Sequence, residues 1–398
     1  MNNNLLDCTV QEIVSRYPET ESIFNGFGIV TREALNNGAG AILRLRTLLQ
    51  LKKINMATFT GLLADGIEEA ERSRRLSPVV RNKPGQFNFV AQLPCALHLP
   101  LTYALHDRLQ KLQSEKNLLL NYYIWSCNND ILAFSDYLRQ VRDIDAAPDL
   151  ILTTDYNLFN RHFASQFIDT GLYTAIPPQP VNNALNRLGI ADPQGWYQVI
   201  AVNPVVVVID HKQLGSLPVP STWADLLQPE YEQKVVLNGS SGDFDDIILL
   251  HIYQQYGDAG IAALSRSVRT GMHPSQMIKT MAGNLPGRPP IYVMPCFFAN
   301  TLPPAVAASI IWLRDGTPVT PISYLVKTAK VAELGDLLAY LSGPELGRIC
   351  AGACFPALHP QVDCKLPAEA ALTWIGWDYI RSRDTEKLLT QLNMSFTM

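Results

Sequence analysis

From Phe87 onward the chain alternates short apolar runs with longer amphipathic segments, and this alternation most narrowly limits the possible folds. Apolar runs at 89–91, 118–125 and 150–152 are separated by segments at 101–112 and 130–141 that have helical periodicity. Strands that alternate with helices predict layered α/β structure. Two further runs, at 199–209 and 291–294, are candidates for strands that cross between two units.

The first 75 residues follow a different pattern, which predicts a small helical domain. Thr9 followed by Glu12 is a capping-box pair at the start of a helix. Apolar residues then recur at spacings of three and four, at Leu45, Leu48 and Leu49 and again from Phe59 to Ile67. Residues 76–86 contain Arg81 and Lys83 and are interpreted as a solvated linker, with anion binding as the alternative.

Composition excludes several classes of function. The 32 Lys and Arg residues against 36 Asp and Glu leave a net charge of −4, so nucleic acid is not an expected partner. Seven cysteines in 398 residues are too sparse for a disulfide framework, which indicates reduced thiols. The N-terminal residues lack the basic and apolar regions of a secretory signal, and no apolar run reaches about 20 residues. We therefore expect a cytoplasmic protein that is not inserted in a membrane.

Three strings of sequence resemble one known family. They read PSTWADLLQPEY at 220–231, RDGTPVTPI at 314–322 and YLSGPELG at 340–347. In this order they are similar to the extracellular solute-binding proteins of ABC importers, in the subgroup with ferric-ion and polyamine binders. The resemblance implies an α/β fold of two lobes, with a ligand between them and a hinge that closes. It places the first part of lobe one at 87–204, lobe two at 205–294, and the rest of lobe one with the C-terminal helices at 295–398.

The helical domain resembles, less closely, the N-terminal domain of ScdA-type iron–sulfur repair proteins. The matching strings are TVQEIV at 9–14, YPET at 17–20, IF at 23–24 and GFGI at 26–29. Members of that family usually continue with cysteines, whereas this domain has only Cys8. The domain order leads us to expect that it binds a partner protein.

Polar loops that follow apolar runs supply the candidate ligand-binding residues. Open α/β sheets bind ligands at the carboxyl ends of their strands. The loop at 238–243 could bind an anion or simply cap the next helix, and the family places ligand contacts there. Its acidic residues Asp243, Asp245 and Asp246 could hold a hard cation, although they also suit the first turn of a helix. The candidate residues are Cys95, His98, Ser126, Asn128, Thr154, Asp155, Tyr156, Ser240, Ser241, Asp243, Phe297 and Asn300.

These residues indicate a small polar or anionic ligand. Ferric binders of the family use adjacent tyrosines near the closing strand of lobe two, whereas this chain has Phe297 and Phe298 there. We expect no cofactor, and no metal at the four donors Cys350, Cys354, His359 and Cys364, whose spacing matches no compact zinc module. We interpret the protein as a solute-binding protein that, being cytoplasmic, serves as a sensor or as a transport-related binding protein. The alternative is a cysteine-dependent or metal-assisted enzyme with Cys95 or Cys296 as nucleophile.

Overall fold

The described part of the chain combines a mixed sheet, its flanking helices and a separate group of N-terminal helices. The computed structural model describes residues 5–26, 29, 43–52, 54, 56, 59–61, 63, 64, 67, 86–126, 141, 146–154, 163–177, 179–240, 243–283 and 287–396. Within these ranges no helix has both the length and the apolar character that a bilayer crossing requires.

The N-terminal residues form the helices that their periodicity predicts. They are α1 (Val10–Arg16), a 3₁₀ turn (Pro18–Thr20), α2 (Glu21–Gly26) and α3 (Leu45–Leu51). The predicted capping box is present, because the Thr9 hydroxyl accepts from the Glu12 N–H at 3.2 Å and the Glu12 carboxylate accepts from the Thr9 N–H at 2.7 Å. Phe24 and Phe59 pack 5.4 Å apart in a core of their own.

Lobe one is built on three parallel strands. β1 (Phe87–Leu93) lies between β2 (Leu120–Ser126) and β3 (Leu150–Thr153), and α4 (Cys95–Lys116) connects β1 to β2. Leucines at every fourth position of α4 are fully buried against the sheet: Leu97, Leu101, Leu105 and Leu109. This spacing keeps one face of the helix on the core.

A single strand, β4 (Gln198–Asp210), runs from lobe one into lobe two. Its first half pairs with β10 (Thr317–Val326), which also pairs with β3. Its second half pairs with β8 (Ile291–Pro295) on one side and β9 (Ala308–Ile311) on the other. Between β4 and β10 the chain therefore builds lobe two, and β10 brings it back to lobe one. The division at residues 75, 86, 204 and 294 stays a prediction.

Lobe two occupies most of the chain between β4 and β10. It contains α5 (His211–Leu214), α6 (Trp223–Leu226), β5 (Val235–Ser240), β6 (Asp243–Phe244), α7 (Asp246–Ser267), β7 (Val268–Met272), α8 (Pro274–Ala282) and α9 (Cys296–Ala299). β5 is parallel to both β7 and β8. Helix α2 lies against β7, the outermost described strand of this sheet.

The C-terminal part packs back on both lobes. Its elements are α10 (Gly335–Leu341), α11 (Pro344–Gly352), β11 (Leu372–Thr373), α12 (Trp377–Arg381) and α13 (Thr385–Phe396). Single 3₁₀ or π-helical turns lie at Pro229–Tyr231, Asn186–Leu188, Thr328–Lys330 and Ala164–Ile168.

Two of the three sequence strings that resemble the solute-binding family contact each other. At the start of α6, the Trp223 N–H donates to the Asp315 carboxylate at 2.8 Å, and the buried indole N–H of Trp223 donates to the Gly316 carbonyl at 3.0 Å. Gly316 has a φ of 118°, and a Cβ there would come within 2.7 Å of the Thr373 side chain. These two strings therefore connect lobe two to the beginning of β10 by hydrogen bonds.

The buried ion pair between Arg288 and Asp210 generates the first prediction. The Arg288 Nε lies 2.6 Å from the Asp210 Oδ2, and both side chains are almost fully buried. Arg288→Ala leaves a buried carboxylate without its cation, so we expect the free energy of unfolding to fall by about 3–5 kcal/mol. The exposed Arg266–Glu232 pair is the control, since Arg266→Ala should cost less than about 1 kcal/mol. Equal shifts in urea denaturation of the two variants would contradict this prediction.

Burial of His251 generates a prediction about acid stability. His251 on α7 packs 5.7 Å from the Trp223 ring, and burial lowers its pKa to about 4. Because the folded-state pKa is below the unfolded value of about 6.5, the unfolded state alone takes up this proton as the pH falls between these values. Stability should therefore drop by about 1.4 kcal/mol per pH unit from pH 6.5 to about 4. His251→Phe should reduce that slope in chemical denaturation series; an unchanged slope would contradict the assignment.

Candidate functional site

The directions of the strands place the carboxyl ends of the two lobes opposite each other. β10 is antiparallel to both β3 and β4, so β4 runs in the direction of β1, β2 and β3. β8 is antiparallel to β4, and β5 and β7 are parallel to β8. Lobe one strands therefore point toward lobe two, and lobe two strands point back. The loops after both sets of strands flank a common cleft, which is where open α/β sheets bind ligands.

The register along β4 gives the scale of this cleft. Lobe one ends level with Val199 of β4, because Thr153 at the end of β3 is opposite Ser323 of β10, which pairs with Val199. Lobe two ends level with Val205 of β4, which pairs with Pro295 at the end of β8. Six residues of extended strand separate these levels, a distance of about 20 Å. A small molecule fits between strand ends at this spacing.

Gln92 and Thr153 form the polar end of lobe one. Gln92 is the last residue but one of β1 and Thr153 is the last residue of the neighbouring β3, and the Thr153 hydroxyl donates to the side-chain oxygen Oε1 of Gln92 at 3.1 Å. The Gln92 side chain is almost fully buried, and its Nε2 has no hydrogen-bond partner within the described ranges. Buried donors are normally paired, so this amide is a candidate ligand contact.

His273 is the corresponding group in lobe two. It follows β7 and caps α8, where its Nδ1 accepts from the Ser275 N–H at 3.2 Å and lies 2.6 Å from the Ser275 hydroxyl. Because Nδ1 accepts, the ring proton is on Nε2. Burial, with a smaller effect of Lys279, lowers the His273 pKa to about 4. The ring is therefore neutral at pH 7, and its buried Nε2–H has no partner in the described part of the chain.

An aromatic contact path connects His273 to lobe one. The His273 ring meets the edge of Phe298 at 5.7 Å, and Phe298 meets Phe297 at 5.3 Å. Phe298 packs on the lobe two core, whereas Phe297 packs on the lobe one core. The start of α9 is thus a contact between the lobes at the hinge side of the cleft.

The side-chain amide of Asn300, directly after α9, contacts two cysteines. Its Nδ2 is 3.3 Å from the Cys296 sulfur and 3.6 Å from the Cys354 sulfur. A hydrogen bond from the Cys296 thiol lowers the Cys354 pKa, and Lys365 and Asn300 act in the same direction. That bond, together with burial, raises the pKa of Cys296. Cys354 is thus the more acidic thiol of the pair.

The structure locates the sequence-predicted site residues to different extents. Cys95 begins α4, Ser126 ends β2, Ser240 ends β5 and Asp243 begins β6, but their side chains lie outside the described set. Asn128, Asp155, Tyr156 and Ser241 also lie outside the described residues. His98 and Thr154 are half-buried, in α4 and directly after β3. Phe297 and Asn300 lie together at the hinge. The ligand-binding roles of all twelve residues stay predictions.

The acidic residues of the 238–246 segment act as helix-start residues where they are described. The Asp245 carboxylate accepts from the Ile247 N–H at 3.3 Å and from the Asn238 amide at 2.7 Å, and Asp246 is in the first turn of α7. Sequence reasoning missed Gln92 and His273, and it considered Cys354 only as a metal donor. A polar residue near the end of an otherwise apolar strand, and a histidine directly before a helix-starting proline, were the available signals for the first two.

Cys350, Cys354, His359 and Cys364 make separate contacts. Cys350 is buried in the lobe one core, and Cys364 donates to the Ala357 carbonyl at 3.4 Å. The His359 Nδ1 accepts from the Gln361 N–H. Among the described residues, no group of three or more His, Cys, Asp or Glu side chains has the arrangement of a metal site.

Residues 145–383 match the family model described as "Bacterial extracellular solute-binding protein". The match covers well over half of the chain and includes β4 and most of both lobes. No curated protein matches the chain.

This family assignment corrects one prediction. The sequence predicted a cytoplasmic protein from the composition of its first residues, whereas the family consists of extracellular binding proteins. The cytoplasmic prediction is wrong, because the charge and hydropathy of one short segment do not determine where a fold of this kind works.

Solved structures with the same fold support the assignment. Apo ferric ion-binding protein A from Pasteurella haemolytica is 14% identical, has a TM-score of 0.55, and the alignment covers 78% of this chain and 98% of that chain. AfuA from Actinobacillus pleuropneumoniae, with fructose-6-phosphate bound, is 10% identical with a TM-score of 0.53 and coverage of 78% and 97%. Apo FutA2 from Synechocystis PCC6803 is 14% identical with a TM-score of 0.54 and coverage of 79% and 99%. The fold is therefore the two-lobed binding-protein fold, and the chain belongs to the bacterial extracellular solute-binding proteins.

Proposed function

We propose that this protein captures a small polar or anionic solute between its lobes by hinge closure and performs no chemistry on it. The observation that carries this proposal is the buried His273 Nε2–H, which lacks a partner in the described part of the chain and follows a strand whose end faces lobe one. A solute oxygen that accepts this hydrogen bond would satisfy a donor that is otherwise costly to bury.

The Gln92 amide supports the same class of solute from the other lobe. Its Nε2 is a second buried donor without a described partner, also at a strand end that faces the cleft. Both donors are uncharged at pH 7. A solute with hydroxyl, carboxylate or oxyanion groups matches them, whereas a polycation does not.

Direct capture of ferric ion fits this site poorly. Fe³⁺ prefers hard, anionic oxygen ligands, and the hinge position carries Phe297 and Phe298, whose rings pack on the two lobe cores. The tyrosines of β2 lie elsewhere; the Tyr122 hydroxyl is 2.6 Å from His106 Nδ1 at the surface. The ferric-ion binding that names one structural neighbour is therefore not carried over to this chain.

An enzyme is the second candidate function. The Cys296 pKa is raised by its hydrogen bond to Cys354 and by burial, so this thiol is protonated at pH 7 and is a weak nucleophile. The side chain of Cys95 lies outside the described residues. Cys354 has the lower pKa of the pair and is therefore the more reactive thiol.

The N-terminal helices connect the cleft to the surface that a partner protein would bind. Helix α2 contacts β7, and His273 follows β7 directly. Rearrangement of the cleft around His273 would reach α2 through this one strand. Binding of a partner protein by residues 1–75 remains part of the proposal.

Native mass spectrometry of the full chain, purified without chelator, tests the proposed function. We expect a stoichiometric small mass that is lost on denaturation, or a raised unfolding temperature with a member of a panel of sugar phosphates, carboxylates and oxyanions. His273→Asn keeps an N-cap for α8 but removes the ring donor, so it should weaken binding roughly tenfold, as expected for one lost hydrogen bond.

His211→Asn is the matched control, because His211 lies at the far end of β4 and its Nε2 contacts the Ser309 hydroxyl. It should leave binding unchanged. Equal affinities of wild-type protein and the His273→Asn variant would contradict the site. Turnover of a bound compound would favour the enzyme instead.

A further inference from the structure

Cys296 and Cys354 follow elements of different lobes, and both pack against the lobe two core beside β4. β8 runs antiparallel to β4 and ends with Pro295 opposite Val205, so Cys296 follows at the level of Pro204. Further along β4, Ala357 bridges Ala201 in the antiparallel sense, and the Val202 N–H donates to the Pro356 carbonyl. Cys354 comes three residues before this bridge, and the Asn300 amide nitrogen lies 3.3 Å from the Cys296 sulfur and 3.6 Å from the Cys354 sulfur. The two cysteines therefore lie close together beside the stretch of β4 that leaves lobe one.

The backbone at Cys354 is unusual for a cysteine. Cys354 has a φ of 64° and directly follows the C-cap of α11. The Phe355 N–H donates to the Cys350 carbonyl at 2.9 Å, and the Cys354 N–H donates to the Ala351 carbonyl at 3.2 Å. This is a Schellman ending, in which glycine usually occupies the left-handed position. A cysteine here accepts backbone strain that glycine would avoid, which points to a use for its side chain.

The surroundings of the pair favour a thiolate on Cys354. The Asn300 amide nitrogen is within hydrogen-bond reach of both sulfurs. Hydrogen bonding from the Cys296 thiol, the positive charge of Lys365 and the Asn300 amide all lower the Cys354 pKa. Cys354 is half-buried, whereas Cys296 is buried. An accessible thiolate next to a protected thiol is the arrangement of an attacking and a resolving cysteine.

We propose that Cys296 and Cys354 are a redox-active pair whose disulfide links the two lobes at the hinge. The oxidant is a low-molecular-weight disulfide. The Cys354 thiolate attacks one of its sulfurs, the external S–S bond breaks, and one thiolate leaves and takes a proton from water. Cys296 then loses its proton to water and attacks the Cys354 sulfur of the mixed disulfide, and the second thiolate leaves. Two protein thiols are oxidised and one external disulfide is reduced to two thiols.

The other described cysteines do not share this environment. Burial raises the pKa of Cys350 to about 12, and burial also raises that of Cys364, which donates to a backbone carbonyl. Cys8 lies in the N-terminal core. A link between Cys296 and Cys354 would fix the angle at which β4 leaves lobe one. This consequence for solute capture rests on the proposed function, but formation of the disulfide does not.

Mass spectrometry of the full chain treated with glutathione disulfide tests the proposal without any solute. We expect an intact mass lower by about 2 Da and a tryptic peptide pair joined through Cys296 and Cys354. The midpoint of thermal unfolding should rise by several degrees, because the link closes a long loop in the unfolded chain, and dithiothreitol should reverse both changes.

Three variants complete the experiment. Cys354→Gly removes the thiol at a position where glycine suits the backbone, so it should fold, and it should show neither the joined peptides nor the thermal shift. Cys296→Ser should stop at a persistent glutathione adduct on Cys354. Cys8→Ser, also at a half-buried cysteine, should behave as wild type. An unchanged mass, a joined pair that omits either residue, or a stable glutathione adduct on wild-type Cys354 would overturn the proposal, as would a metal ion retained at one per chain by both sulfurs.

Discussion

The pairing of β4 with strands of both lobes is the constraint on which the rest of the structure depends. One strand of thirteen residues pairs with β10 in its first half and with β8 and β9 in its second. This pairing fixes the opposite directions of the two parallel strand sets, and so it brings their carboxyl ends to one cleft. It also sets the level at which every loop reaches that cleft. The position of His273, Gln92 and the cysteine pair follows from register rather than from proximity in sequence.

The cleft is notable for neutral donors. The His273 ring is kept uncharged by burial and its proton is kept on Nε2 by the Ser275 N–H, while Gln92 is held by Thr153. Fixed, uncharged donors stabilise a bound oxygen mainly through well-directed hydrogen bonds in a site shielded from water, and less through long-range electrostatic attraction. The buried Asp210–Arg288 ion pair lies away from these donors, at the far end of β4 from lobe one.

The sequence predicted much of the fold but little of the site. Periodicity identified the N-terminal helices and the alternating strands, and the string at 220–231 indicated the family because its Trp223 needs fixed partners on 315–316. Periodicity depends only on neighbouring residues, and the residues of the 220–231 string are restricted by the partners against which they pack. Gln92, His273 and Cys354 are far apart in sequence, and only the register against β4 shows that they lie near one cleft. The four-donor set from Cys350 to Cys364 shows the converse: residues close in sequence point to different surroundings.

Helix α2 has a further consequence for the outer strand of lobe two. In the described part of the chain, β7 pairs with β5 on one side and has no strand on the other. A bare strand edge offers unpaired N–H and carbonyl groups to any other extended chain, and proteins commonly shield such edges. The contact of α2 with β7 provides such a cover. The N-terminal helices therefore also shield this strand edge from pairing with another chain.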